Sequence, residues 1–134
     1  MIDHTGIHVA QLERSRRFYE IVLSPLGYGV RLALEDAVGF GPLQPSPADD
    51  PGGAFWIAQA TPFTPRSHIA FSATSEGQVD AFHQAALAAG ARDNGPPGLR
   101  PQYHRRCYAA FVLDPDGYNI EAVYHQSGPA AAPP

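Results

Sequence analysis

Lysine is absent from the 134-residue sequence, and all nine basic residues are therefore arginines. Without a lysine amine the chain cannot form a Schiff base, attach pyridoxal phosphate or complete a Walker-type phosphate loop. Cysteine occurs once, at Cys107, which excludes an internal disulfide and a thiolate zinc cage and, within an apolar strand, predicts a buried and inert thiol. Long apolar runs and an N-terminal signal core are also absent, so we expect a cytoplasmic protein with no membrane partner.

The charge pattern argues against nucleic-acid binding. The formal net charge is −4, and acidic and basic residues are interspersed, with no basic stripe for a phosphate backbone. The hydrophobic content of 44% is sufficient for a folded core, while 13 glycines and 14 prolines predict many turns. We therefore expect a folded, turn-rich chain that does not bind nucleic acid.

The most informative stretch is the apolar segment of residues 107–124. Two apolar runs flank Asp114–Gly117, where proline presets φ and glycine takes the positive φ that closes a turn, so the pattern predicts a β-hairpin. Strand alternation leaves Glu121 as the single charge in an otherwise apolar second strand. Because burial of an unpaired carboxylate costs several kcal/mol, we expect a cation or a metal ion opposite Glu121.

The two halves of the chain repeat one order of elements. Each half has an alternating strand, an amphipathic helix and further short strands, and a shift of 64 residues places His68 on His4 and Glu121 opposite Ile57. A half of about 60 residues buries too little apolar surface to fold alone, so the halves must pack together. The sequence predicts an α+β fold of two paired βαβββ modules that form a cup-shaped, partly open β-barrel. We assign residues 1–126 to one domain, with modules at about 1–60 and 66–126, and residues 127–134 to a disordered tail.

The repeat also predicts a metal site. If the modules pair about a pseudo-twofold axis, His4, His68, Glu121 and Ile57 converge on one cavity. Two imidazoles and one carboxylate are typical ligands of one divalent ion of the Fe, Mn, Ni or Zn type, and three protein ligands leave coordination positions open for a substrate. The site is therefore suited to chemistry or to ligand capture.

At these residues the chain resembles the vicinal oxygen chelate superfamily, which includes glyoxalase I, extradiol catechol dioxygenases, fosfomycin-modifying enzymes and bleomycin resistance proteins. The segments that carry the resemblance are Ile2–His4, Leu12–Tyr19, Ser67–Phe71 and Phe111–Glu121. The resemblance implies that His4, His68 and Glu121 hold the metal. Glyoxalase I is similar but has a second glutamate in the fourth strand, where this sequence has Phe55–Ala58 without one. The ligand set is therefore closer to that of the dioxygenases and the fosfomycin group.

The resemblance implies two alternative functions. The first is a divalent-metal-dependent enzyme, dioxygenase-like or lyase-like, that acts on a small oxygen-chelating molecule. The second is a metal-free protein that sequesters a drug or metabolite, as bleomycin resistance proteins do. The presence of the complete metal set favours the enzyme.

Several further residues are candidates for contact with the substrate. Tyr103 and His104 lie on the loop of residues 94–106, which we interpret as a lid, and their side chains suit proton transfer. Four others are candidate substrate-binding residues: His8, Trp56, Ile57 and Arg100. We interpret His83 and His125 as structural histidines. We also expect a homodimer, because small cup-shaped sheets leave exposed edges that a second copy can cover.

Overall fold

The structure is a computed structural model that describes residues 1–126. The predicted disordered tail, residues 127–134, lies outside the described residues. Residues 1–126 form eight strands and two helices, together with a short 3-10 turn at Ser24–Leu26. The elements are β1 (Thr5–Val9), α1 (Leu12–Leu23), β2 (Tyr28–Ala33), β3 (Ala37–Pro42), β4 (Phe55–Gln59), β5 (His68–Ser72), α2 (Glu76–Ala88), β6 (Arg92–Leu99), β7 (Cys107–Leu113) and β8 (Asn119–His125).

The strands form two four-stranded sheets with the same internal order. The first sheet has the order β1-β4-β3-β2 and the second β5-β8-β7-β6, and in each the first-named pair is parallel while the other pairs are antiparallel. The predicted α+β fold of two βαβββ modules is therefore confirmed, and the sheets stay open instead of closing into a barrel. No helix within residues 1–126 combines the length and the apolar character that a membrane crossing needs.

One apolar core joins the two modules. Helix α1 packs on the first sheet and α2 on the second, and the two helices contact each other. The inward strand positions are buried, among them Ile7 and Ile57 in the first sheet and Ile120 and Val112 in the second. Because successive strand side chains point to opposite sides, the alternate positions lie on the face away from the helices. We call this side of each sheet its open face.

The structure corrects the interpretation of residues 94–106 as a single loop. Residues 92–99 form the edge strand β6, and only residues 100–106 connect β6 to β7. The register with β7 shifts between Asp93 and Gly95 and again between Gly95 and Gly98, so that Pro96 and Pro97 fall in an irregular part of the ladder. Proline is compatible with an edge strand at such bulges because it has no amide proton to donate. The sequence Gly-Pro-Pro-Gly at residues 95–98 therefore favoured the prediction of a loop where the structure has a strand.

The turn between β7 and β8 binds the start of α1 across the module boundary. Helix α1 has no side-chain cap of its own at Gln11. The Asp116 carboxylate accepts hydrogen bonds from the amide of Ala10, at 3.3 and 3.4 Å, and from Nη2 of Arg14 at 2.9 Å. The amide of Leu12 donates to Oε1 of Gln59 at 2.7 Å. Groups distant in sequence therefore satisfy the donors that a helix start leaves open.

Two further side chains reinforce this junction from the core. The Tyr19 hydroxyl donates to Oδ2 of Asp114 at 2.5 Å, while Oδ1 of Asp114 accepts from the amides of Asp116 and Tyr118, both at 2.9 Å. The Tyr118 hydroxyl donates to the carbonyl of His8 at 2.6 Å and accepts from the amide of Phe63 at 2.8 Å. The hairpin turn thus holds β1, α1 and the segment between the modules in one arrangement.

Replacement of Asp116 by alanine should destabilise the fold. The change leaves the Arg14 guanidinium and the Ala10 amide without their acceptor at a site where the Asp116 side chain is 5% exposed. We expect a loss of about 2 to 4 kcal/mol in the free energy of unfolding, measured by urea denaturation. Glu35→Ala, which removes an exposed carboxylate from the β2–β3 turn, is the control and should change stability by less than about 0.5 kcal/mol. Equal effects of the two substitutions would contradict this role for Asp116.

The buried Asp114 carboxyl should give a specific pH dependence. Burial raises the pKa of Asp114 above its ordinary value of 3.8, and the hydrogen bonds from Tyr19 and from the turn amides only partly oppose this. The folded chain therefore holds the proton more tightly than the unfolded chain, and this contribution to stability is lost as the pH rises through the folded pKa. Asp114→Asn keeps a neutral group at every pH, so its stability relative to wild type should improve as the pH rises above 3.8 and through the raised folded pKa of Asp114. A pH-independent difference in unfolding free energy would refute this linkage.

Candidate functional site

His68 and Glu121 meet on the open face of the second sheet. Strand β5 pairs with β8 in parallel, with His68 opposite Asn119 and Ala70 opposite Glu121, so the two polar side chains lie on neighbouring strands of one face. Nε2 of His68 lies 3.0 Å from Oε1 of Glu121. The Glu121 side chain is only 10% exposed, whereas that of His68 is 46% exposed. The carboxylate therefore lies at the floor of the face, and the imidazole forms its rim.

The hydrogen bond of Nδ1 determines whether Nε2 of His68 can donate or accept. Nδ1 lies 2.8 Å from the carbonyl oxygen of Asn119, which can only accept a hydrogen bond, so Nδ1 carries the proton. In the neutral imidazole Nε2 is then an acceptor, and it faces a second acceptor, the Glu121 carboxylate. Two lone pairs 3.0 Å apart repel each other unless a cation lies between them. Either a second proton on His68 or a bound metal ion satisfies this pair.

An aromatic and a guanidinium group extend the site along the same face. Phe111 is paired with Glu121 in the β7–β8 register, and its ring stacks on that of His68 with an interplanar angle of 25° and centroids 6.0 Å apart. The guanidinium of Arg100 lies over the Phe111 ring, 5.4 Å from its centroid, and donates to the carbonyls of Pro96 and Gly98. Arg100, a candidate substrate-binding residue, therefore lies beside the site while it also supports the irregular strand β6.

His4 lies elsewhere in a single chain. It precedes β1, and its Nδ1 is 2.7 Å from a carboxylate oxygen of Asp3. The hydrogen bond with Asp3 raises the pKa of His4, and the nearby Asp50 adds to the effect. Possible ligand atoms of His4, Asp3 and Asp50 lie within 4.8 Å of one another. Among residues 1–126 no such group contains His4, His68 and Glu121 together. One chain therefore brings together two of the three predicted ligands.

The position that matches Glu121 in the first module belongs to Trp56. Gly6 pairs with Trp56 in the first sheet, as Ala70 pairs with Glu121 in the second, and Gly6 precedes Ala70 by the 64-residue repeat. Ile57, which a uniform shift of the sequence had placed there, is 0% exposed and belongs to the core. Strand β4 is offset from β8 by 65 residues, whereas β1 is offset from β5 by 64. The predicted correspondence of Ile57 with Glu121 was therefore wrong by one position. Ile57 faces the helices, and Trp56 is the candidate substrate-binding residue on the open face.

Glycines surround the Trp56 indole. A Cβ atom on Gly39, which pairs with Trp56 across β3 and β4, would overlap the backbone oxygen of Gly52 and lie 2.7 Å from two atoms of the indole, and one on Gly52 would lie 3.1 Å from the indole. The indole Nε1 donates to the carbonyl of Gly53 at 3.2 Å. Side chains are therefore missing where the ring needs space, and the indole is held in one position on the open face.

The remaining predicted residues occupy different surroundings. The His8 ring is exposed and lies 4.7 Å from Phe63, centroid to centroid, on the open face of β1. Tyr103 is 63% exposed on the 100–106 connection. His104 contacts His125, with Nε2 of the former 2.9 Å from Nδ1 of the latter. His83 is buried and bonded to Asp93 at 2.9 Å, where its hydrogen bond lowers the pKa of that carboxyl.

An apolar cavity of about 290 Å³ lies between the sheets and is separate from these groups. Its wall includes Tyr28, Phe40, Phe55 and Phe71. None of the three predicted metal ligands lines it. The candidate site is therefore the open face around His68 and Glu121, and this apolar cavity is not part of it.

A comparison with known protein families and structures agrees with the architecture. The model of the Glyoxalase/Bleomycin resistance protein/Dioxygenase superfamily matches residues 1–122. A glyoxalase/bleomycin resistance protein from Albidiferax ferrireducens T118 is 31% identical, with a TM-score of 0.73 and coverage of 92% of this chain and 97% of the other. No curated protein matches the chain.

More distant structures share the fold alone. A lactoylglutathione lyase from Agrobacterium tumefaciens is 18% identical, with a TM-score of 0.63 and coverage of 92% of both chains. A glyoxalase/bleomycin resistance protein/dioxygenase family enzyme from Burkholderia phytofirmans PsJN is 16% identical, with a TM-score of 0.66 and coverage of 93% of this chain and 98% of the other. The family match over most of the chain, the repeated βαβββ modules and the His68–Glu121 pair lead to one conclusion: this chain belongs to the glyoxalase/bleomycin resistance/dioxygenase superfamily.

Proposed function

We propose that the protein is a divalent-metal-dependent enzyme that acts on a small molecule with two neighbouring oxygen atoms. The observation that carries this proposal is the contact of Nε2 of His68 with Oε1 of Glu121 at 3.0 Å, where the pair needs a proton or a metal ion between its two atoms. The backbone carbonyl of Asn119 holds the His68 ring in this orientation. A carbonyl that fixes the tautomer of an imidazole is the usual outer-shell partner of a metal-binding histidine.

The separation of the two atoms fits adjacent ligands of one ion. Nitrogen and oxygen ligands lie about 2.0–2.2 Å from a divalent transition-metal ion, so two of them at the right angle of octahedral coordination are about 2.8–3.1 Å apart. The observed distance is 3.0 Å. With the His4 imidazole as the third ligand, the set suits Fe, Mn, Ni or Zn. Such an ion, when bound, supplies Lewis-acid polarisation of two substrate oxygens through its open positions.

We place the third ligand, His4, on a second copy of the chain. Strands β1 and β5 are the outermost strands on the corresponding edges of their sheets, so each offers an unpaired edge in a single chain. His4 immediately precedes β1 and His68 begins β5. A homodimer in which β1 of one copy lies beside β5 of the other joins two open faces into one cup and brings His4 of one copy to His68 of the other. This arrangement supports the predicted homodimer.

The protein groups around the site have distinct roles in this proposal. Trp56 and Phe111 provide flat apolar walls that exclude water and orient a planar substrate, and Arg100 is a candidate for binding its negative charge. His8, Tyr103 and His104 are the candidates for holding or moving a substrate proton. The proton-transfer role of Tyr103 and His104 stays a prediction, since His104 is engaged with His125 in the single chain.

The held indole of Trp56 favours a second candidate function. A four-ligand site would need a polar side chain at this position, and an aromatic ring there instead suits the capture of an aromatic or planar ligand. A metal-free protein that sequesters such a molecule, as the name of bleomycin resistance proteins suggests for this superfamily, is therefore the alternative. Tight binding of Mn²⁺ at His68 and Glu121 distinguishes the enzyme from this alternative.

Mn²⁺ should bind with one site per chain and depend on both members of the pair. We expect His68→Ala and Glu121→Ala each to weaken Mn²⁺ binding by more than about 100-fold, because each removes a direct ligand. Free Mn²⁺ measured by electron paramagnetic resonance during titration gives the affinity. His8→Ala removes an exposed imidazole from an open face and is the matched control, which should bind Mn²⁺ as wild type does. Unchanged Mn²⁺ affinity in Glu121→Ala would exclude the proposed metal site.

Complementation between two defective chains should show whether each metal site takes its ligands from both copies. His4→Ala and Glu121→Ala proteins each have two damaged sites per dimer, but a mixed dimer has one intact site and one doubly damaged site. Random co-assembly in co-expressing cells should therefore restore Mn²⁺ binding at about one quarter of the sites. Differently tagged chains allow mixed dimers to be isolated and their metal content measured. Mixed dimers that bind no Mn²⁺ would show that a site does not take its ligands from both copies, and a monomer by light scattering would rule out the dimer.

A further inference from the structure

Three potential metal ligands lie together at the far end of the second sheet. They are His104, Cys107 and His125, whose ligand atoms all lie within 4.8 Å of one another. Cys107 and His125 are paired in the β7–β8 register and share the open face with Glu121. The imidazoles of His104 and His125 are stacked with centroids 5.0 Å apart, and their nearest nitrogens are 2.9 Å apart.

The backbone holds these three residues close to one another. The amide of Cys107 donates to the carbonyl of His104 at 3.2 Å, so a hydrogen-bonded turn places residues 104 and 107 side by side. The amide of Arg100 donates to the carbonyl of Cys107 at 2.8 Å, and that of Gln126 donates to the carbonyl of Arg106 at 2.8 Å. The 100–106 connection is thus attached to the start of β7 and the end of β8.

We propose that His104, Cys107 and His125 form a second metal site, which binds a borderline-soft divalent ion such as Zn²⁺. Two imidazoles and one thiolate are a donor set that zinc binds readily, with a water molecule as the fourth ligand. Tetrahedral geometry with Zn–N of about 2.0–2.1 Å and Zn–S of about 2.3 Å requires ligand atoms about 3.3–3.6 Å apart. The upper limit of 4.8 Å for the group and the 2.9 Å between the nitrogens bracket these values. The two nitrogens would move slightly apart and the other ligand atoms would adjust within this range to form the site.

The hydrogen bonds around His104 define the proton changes on binding. Nδ1 of His104 accepts from the amide of Arg106 at 3.2 Å, so Nε2 carries the proton that joins this ring to Nδ1 of His125. An ion takes the place of that proton, which moves to Nδ1 of His104 as the long contact with the Arg106 amide is released to water. His125 binds through Nδ1 with its own proton on Nε2. The Cys107 thiol loses its proton to solvent as the sulfur–metal bond forms, so binding releases one proton.

The buried position of Cys107 agrees with this linkage. Cys107 is 3% exposed, and burial, with a smaller effect of Glu121, raises the pKa of its thiol. The thiol is therefore protonated at neutral pH in the metal-free protein. Metal affinity should increase with pH because the ion competes with that proton.

This site differs from the His68–Glu121 pair in both position and chemistry. His125 is four residues beyond Glu121 on the same strand, a separation of about 13 Å at 3.3 Å per residue. The first site has nitrogen and oxygen donors, whereas the second has a thiolate, which favours softer ions. An ion at the second site would fasten the 100–106 connection, and with it Tyr103, to the end of β8.

Cobalt provides a direct test because thiolate-to-cobalt charge transfer absorbs in the near ultraviolet. The protein for the test carries His68→Ala and Glu121→Ala, so the outcome does not depend on the first site. Titration of this metal-free protein with Co²⁺ should give a thiolate band that saturates at one ion per chain, and Zn²⁺ should displace it. The apparent affinity should rise about tenfold per pH unit below the thiol pKa.

Matched substitutions identify the ligands. Cys107→Ser should abolish the band, and His104→Ala and His125→Ala, both at exposed positions, should each weaken Co²⁺ binding by more than about 100-fold. Glu35→Ala removes an exposed carboxylate from the β2–β3 turn and should leave the titration unchanged. Circular dichroism verifies that each variant is folded. The absence of a thiolate band at saturating Co²⁺, or a band that persists in the His104→Ala/His125→Ala double variant, would overturn the second site.

Discussion

The turn between β7 and β8 carries the interaction on which the rest of the structure depends. Its two aspartates do more than shape a hairpin, because Asp116 binds the uncapped start of α1 and Asp114 binds the buried Tyr19 hydroxyl. Both contacts cross from the second module to the first. The same turn leads directly into β8, whose third residue is Glu121. The position of the carboxylate at the candidate site is therefore coupled to the junction that makes two small modules fold as one unit.

Local patterns predicted much of this architecture. Alternation and helical periodicity located the first helix, the second helix and the final hairpin, since each of these depends on residues close in sequence. The clamp role of Asp116 was not predicted because its partners lie about 100 residues away. Strand β6 was missed because its glycines and prolines suit a loop equally well until the bulges are seen. A uniform repeat shift selected Ile57 where register selects Trp56, since one additional residue between strands does not alter the pattern of either strand.

The candidate site shows the same limit. Glu121 attracted attention as a lone charge in an apolar strand, and the structure supplies His68 as its neighbour. The sequence contains no signal for the orientation of the imidazole. The backbone carbonyl of Asn119 determines that orientation, and this residue is close in space but 51 residues away in sequence. The grouping of His104, Cys107 and His125 was equally hidden, because strand pairing brings together residues that looked unrelated: a lid histidine, an inert thiol and a structural histidine.

The glycines around Trp56 limit the side chains that this position can carry. A change of Trp56 to glutamate would place a carboxylate in a space shaped for an indole and would leave a void beside β3. Gly39 could not fill that void with a side chain of its own, because a Cβ atom there would overlap the backbone oxygen of Gly52. The backbone around this position therefore fixes an aromatic surface on the open face of the first sheet.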